Sequence, residues 1–267
     1  MTTIQADPQT IDGTVTGGRS ARTTAPAMWR LTVVELRKLA DTRAGLWMLI
    51  VIGVAAAGTV VLLLTAGDPP EQTFAQFFSF GLLPASVLLP VLGILSMTGE
   101  WSQRTALTTF ALVPQRGRVL TAKLTAAVLI AVLSTAVTGL LAVAGNLVAI
   151  ALDGDGSWKI EAAMIGRFLV LEVLLVVMGS AFGALLLNSP LAIVLYFAVP
   201  TLWTVLGELV KWLHTAAEWL DINVTMEPLT AVDMTSGQWA RLGTSAALWV
   251  ALPLILGTVR MLRREVS

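Results

Sequence analysis

The residues of this chain best suited to chemistry are a few charges set among long apolar runs. Residues 99–123, GEWSQRTALTTFALVPQRGRVLTAK, carry Glu100 and the cations Arg104, Arg116, Arg118 and Lys123. Apolar runs long enough to cross a bilayer flank that segment on both sides. Residues 28–43, MWRLTVVELRKLADTR, carry Arg30, Glu35, Arg37, Lys38, Asp41 and Arg43. Glu172 stands alone inside VLEVLLV, and Asn146 lies at comparable depth in the run before it. A carboxylate in hydrocarbon costs several kcal/mol unless it faces protein or water. Glu172 and Asn146 are therefore candidates for a polar path or ion site; the plainer reading of Glu172 is a protonated or hydrogen-bonded packing residue.

Most catalytic chemistry is excluded by what is missing. There is no cysteine, so disulfides, thiolate nucleophiles and Cys-based metal sites cannot form. A single histidine, His214, rules out a multi-histidine metal site, and no HExxH motif is present. No GxSxG elbow occurs. No GxxxxGK[ST] phosphate loop occurs either, so the chain has no recognisable means of binding and splitting ATP by itself. Nothing in the zero net charge suggests nucleic-acid binding. The chain reads as a non-enzyme that binds no cofactor or metal of its own.

The elements that position these charges follow from composition. The 267 residues are 56% hydrophobic and only 13% charged, with a mean hydropathy of +0.80. Soluble domains carry about 25% charged residues, so the chain belongs to the all-α integral membrane class. Residues 1–27 read as a disordered cytoplasmic tail, and residues 28–267 as one membrane domain. In residues 28–43, Trp29, Val33, Leu36 and Leu39 or Ala40 recur at helical spacing, as in a basic amphipathic helix lying in the membrane interface. Spans are expected near 45–66, 74–98, 120–150, 164–187, 191–207 and 239–259. Pro84 and Pro90 predict a kink or local unwinding in the second span. With Pro200 of the fifth, they are candidate hinge points beside a translocation path. Within 208–238, Leu209, Trp212, Leu213, Ala216 and Leu220 fall on one helical face, suggesting a second, outer interfacial helix before the last span. G-x-x-x-G at 179–183 permits close helix contact, with packing inside the monomer as the default.

Orientation follows from the cations. With six spans, one side holds Arg19, Arg22, Arg30, Arg37, Lys38, Arg43, Arg104, Arg116, Arg118, Lys123, Arg260, Arg263 and Arg264; the other holds only Lys159, Arg167, Lys211 and Arg241. The positive-inside rule places both termini and residues 99–118 in the cytoplasm.

Two stretches resemble the permease subunits of ABC-2-type transporters, actinobacterial ones included. They are ELRKLADTRAG (35–45), just before the first span, and residues 99–123. In that family an acidic residue ends the second span, followed by a Thr-rich turn, a Pro, a basic pair and a Lys opening the third span. Glu100, Thr105, Pro114, Arg116 with Arg118, and Lys123 stand at those positions. The resemblance implies a cell-membrane subunit that pairs with a second copy and with two cytoplasmic ATP-binding-cassette subunits, which would bind the ATP and magnesium. It implies export of an amphipathic or hydrophobic substrate, although no residue encodes direction. It also makes Arg37, Lys38, Arg43, Glu100, Arg104, Pro114, Arg116, Arg118 and Lys123 candidate coupling residues. The alternative for these cations is topology and lipid binding alone. The alternative for the whole chain is a non-transporting membrane anchor or immunity protein that binds lipid or peptide.

Overall fold

A computed structural model describes residues 27–102, 116–159, 161–230 and 233–263. Among them there is helix and no strand. Helix α1 covers Met28–Asp41, α2 Arg43–Ala66, α3 Phe74–Ser102, α4 Arg116–Ala151, α5 Ala162–Leu186 and α6 Ser189–Leu209. Two short helices follow, α7 His214–Leu220 and α8 Ile222–Met226. Helix α9, Ser236–Ala246, passes through a π-helical turn at Ala247–Ala251 into α10, Leu252–Arg263. Six helices are long and apolar enough to cross a membrane: α2, α3, α4, α5, α6 and the continuous Ser236–Arg263 unit. The architecture is that of an all-α, multi-pass membrane protein.

Chain reversals are fixed by local chemistry. Thr42 starts α2 by accepting the Gly45 N–H at 3.2 Å, and Asn188 starts α6 by accepting the Leu191 N–H at 3.0 Å. Both satisfy first-turn donors that would otherwise be orphaned. Leu187 closes α5 in the left-handed region, φ 53°, which allows the two-residue reversal into α6. Thr235 and Gln238 form a reciprocal capping box at the start of α9.

The spans are held by close backbone approach, since apolar side chains gain little from leaving lipid for one another. Helices α3 and α5 form the tightest pair. A Cβ on Gly179 would lie 2.2 Å from the Pro90 carbonyl oxygen, and one on Gly93 would lie 2.6 Å from that of Val176. The 179–183 motif thus packs α5 on α3 inside the monomer. Helix α3 runs unbroken through Pro84 and Pro90, so the local unwinding expected there does not occur.

One end of the bundle gathers α1, the end of α3, the start of α4, the α5–α6 reversal and the end of α10. Thr98 and Ser189 share a 2.7 Å hydroxyl contact, Arg260 donates to the Leu185 carbonyl, and Arg116 donates to that of Met261 at 3.0 Å. This end carries most of the described cations. At the opposite end Gln72 donates to the Gly67 carbonyl, and Asn146 to that of Gly156 at 2.9 Å. Trp249 donates its indole N–H to the Leu220 carbonyl at 2.6 Å, tying α7 to the last span. The expected helical face through Leu209, Trp212 and Leu220 is broken. Helix α6 stops at Leu209, α7 starts only at His214, and Trp212 between them is 79% exposed.

Candidate functional site

The amphipathic pattern of α1 fits a helix with one buried face, but that face is not the apolar one the spacing suggests. Thr32, Glu35 and Leu39 are buried, whereas Trp29 is 64% exposed. The i, i+3, i+7 stripe that meets the bundle therefore has a carboxylate at its centre. Glu35 is tolerated there because Lys123, 88 residues later, reaches it from the second turn of α4.

Four charges alternate in sign at this junction. The Lys123 ammonium donates to Glu35 Oε2 at 2.6 Å and lies 3.1 Å from Glu100 Oε1. The Lys38 ammonium donates to Glu35 Oε1 at 2.8 Å and to Glu100 Oε1 at 2.9 Å. Lys123 also donates to the Ser96 carbonyl at 3.1 Å, so all three of its protons are directed at oxygen. Its side chain is 3% exposed, against 42% for that of Lys38. Two ammoniums and two carboxylates cancel, which is how the network survives burial. Burial works against the charged form of Lys38, yet the Glu35 and Glu100 carboxylates outweigh it and hold its pKa above the usual 10.5. The network ties α1 to the ends of the second and third spans through groups that cannot part without stranding a charge.

Beside the network lies a cavity of about 450 Å³. Leu39, Leu92 and Leu95 give it an apolar wall, and Lys38, Ser96, Glu100 and Ser189 a polar one.

The candidate coupling residues separate into groups. Lys38, Glu100 and Lys123 meet in the network, joined by Glu35, which its residue type alone did not single out. Arg37 and Arg43 are exposed on α1 and at the start of α2. Arg116 holds the end of α10, and Arg118 donates to Met28 Sδ at 3.5 Å, against the start of α1. Arg104 and Pro114 lie outside the described residues. Of the path candidates, Pro90 and Pro200 are buried and Pro84 half-buried. Asn146 bonds to the 152–158 loop through Gly156. Glu172 is fully buried, and neither of its carboxyl oxygens has a hydrogen-bond partner among the described residues. Arg167, about one and a half turns away on the same helix, is buried with two guanidinium nitrogens that have no hydrogen-bond partner among the described residues.

Among the described residues no three His, Cys, Asp or Glu side chains gather as metal ligands. No protein-family model matches the chain, and no curated protein matches it.

Proposed function

We infer that the chain is the membrane-spanning subunit of an ATP-driven transporter of the ABC-2 type, exporting an amphipathic or hydrophobic molecule across the cell membrane. It pairs with a second copy of itself and with two cytoplasmic ATP-binding-cassette subunits, which supply ATP binding and hydrolysis. In this reading both termini are cytoplasmic, α1 lies in the inner membrane interface, and α7 lies at the outer one.

The observation that carries this reading is the charge network linking Glu35 and Lys38 of α1 to Glu100 of α3 and Lys123 of α4. A motor that moves α1 through its exposed Arg37, or through Arg43 just beyond it, acts on a helix clamped to two spans. The push therefore reaches the spans as a rigid displacement and is not absorbed by a flexible joint. Removing one partner of a buried pair costs about 3–5 kcal/mol, so the clamp holds against forces that would slide an apolar contact. Glu172 supports the path assignment, because a buried carboxyl with both oxygens unpartnered is costly to keep for packing alone.

The test is co-expression with the ATPase of a neighbouring reading frame that carries a phosphate loop. The expected result is a stable complex whose ATPase activity in nanodiscs falls when Arg37 and Arg43 are both changed to Glu. A chain that purifies without any such partner, or a charge-reversed complex with undiminished activity, would refute the assignment.

A further inference from the structure

The cavity beside the charge network is walled by charges that already cancel, and this restricts what it can hold. Lys38 and Lys123 are in mutual contact with Glu35 and Glu100. A charged ligand entering there would add an unpaired charge to a neutral set and meet its full desolvation cost. An uncharged ligand avoids that cost. The rest of the lining suits an apolar body: Leu39, Leu92 and Leu95 form one wall, and Ala44, Gly45 and Gly99 add no polar side chain. A Cβ on Gly99 would meet nothing within 4 Å, so this part of the wall borders open space.

Hydrogen-bonding capacity is nevertheless left on the polar wall, one group of each kind. Lys38 directs two of its three protons at Glu35 and Glu100, and the third has no acceptor among the described residues. Glu100 meets both ammoniums through Oε1. Its Oε2 accepts no hydrogen bond from the described residues and is not sealed in the interior. A spare donor beside a spare acceptor is the complement of a hydroxyl, which both donates and accepts. From Glu100 down α3 to Leu92 the wall runs roughly 12 Å by helix rise, from this polar pair to its apolar floor.

We propose that this cavity binds an uncharged, hydroxyl-bearing amphiphile. The hydroxyl donates to Glu100 Oε2 and accepts from Lys38, while the apolar part lies along Leu39, Leu92 and Leu95. The volume of about 450 Å³ is in the range of small-molecule sites. This names the cargo class for the transporter reading above and rests on it for the movement that follows binding. Binding itself needs neither ATPase nor ATP, so a complex that forms and hydrolyses ATP while the cavity binds nothing refutes the site and leaves that reading standing.

Photolabelling of the full chain in phosphatidylcholine nanodiscs tests it, with a diazirine-bearing 1-lauroylglycerol as probe. Unlabelled 1-lauroylglycerol, dodecanoate and dodecylamine serve as competitors with matched chains. The expected result is saturable labelling within residues 39–45 and 92–99, displaced by 1-lauroylglycerol at concentrations about tenfold or more below those either charged analogue requires. Methylating both hydroxyls of the competitor removes the proton donated to Glu100. It weakens displacement about tenfold or more, the loss of one hydrogen bond to a charged group. Gly99→Leu, whose added side chain starts in open space and leaves the four charges in place, abolishes saturable labelling without lowering the unfolding midpoint. Leu95→Phe narrows the same space from the apolar wall and weakens labelling independently. Unsaturable labelling, equal displacement by a charged or methylated competitor, or native-like labelling of both variants would each overturn the site.

Discussion

At the scale of single residues, Lys123 decides the site. It is the most buried cation of the network, and its loss would strand Glu35 and Glu100 beside a single remaining ammonium. Lys123→Met is expected to cost about 3–5 kcal/mol, read as a lowered unfolding midpoint in detergent. Adding Glu35→Met to that variant should recover most of the loss, because an apolar pair of similar volume avoids the desolvation cost. The sign of pH dependence follows from Lys38. Its pKa in the fold lies above the ordinary 10.5, so its contribution is complete below that value and is lost as pH rises through the folded pKa. Amide exchange across α1 should therefore be governed by the same stability throughout the neutral range, with the helix loosening only in strong alkali. Glu172→Leu carries the opposite expectation. Removing a buried carboxyl without partners should raise stability by about 1–3 kcal/mol, in the same unfolding assay, while abolishing transport if the residue lines the path. The sequence made Lys38, Glu100 and Lys123 visible because charges at span ends stand out against apolar runs. Glu35 was not visible as the hub, since its partner lies 88 residues away and α1 taken alone offers a better apolar face through Trp29 and Leu36.

At the scale of elements, the rigid unit is the α3–α5 pair. Gly179→Val would drive a side chain into the Pro90 backbone, and Gly183→Val into that of Ile94. Each is expected to cost at least about 1–3 kcal/mol and to lower the unfolding midpoint accordingly. Gly53→Ala, at a position open to its surroundings, should not. The six spans were legible from hydropathy because length and apolarity are properties of each segment alone. Their ends were fixed less well: α3 and α4 extend beyond the apolar runs, stabilised by Glu100 and Lys123, which satisfy each other. Of the kink or local unwinding expected at Pro84 and Pro90, the unwinding does not occur, because a helix packed along its length accommodates a missing N–H donor. The outer amphipathic face was over-read too, since Leu209 and Trp212 share a helical period with Leu220 only if the helix continues through Val210, and it does not.

At the scale of the whole molecule, the bundle has one end knotted by charges and hydroxyls and another tied by a loop and two short helices. The knotted end joins α1, α3, α4, α6 and α10 in a single set of contacts, so a displacement imposed there is shared among the spans. That sharing is the central claim, and the absence of cysteine makes it directly measurable. Paired cysteines at Ala40, exposed on α1, and Asp153, spin-labelled in a complex with the proposed ATPase subunit, report the distance between α1 and the opposite end by pulsed electron resonance. The account predicts that ATP shifts this distance in the native background and leaves it unchanged when Glu35→Met and Lys38→Met are combined, which removes both α1 charges of the network and leaves Glu100 and Lys123 paired with each other. A full ATP-driven shift in that variant would contradict it.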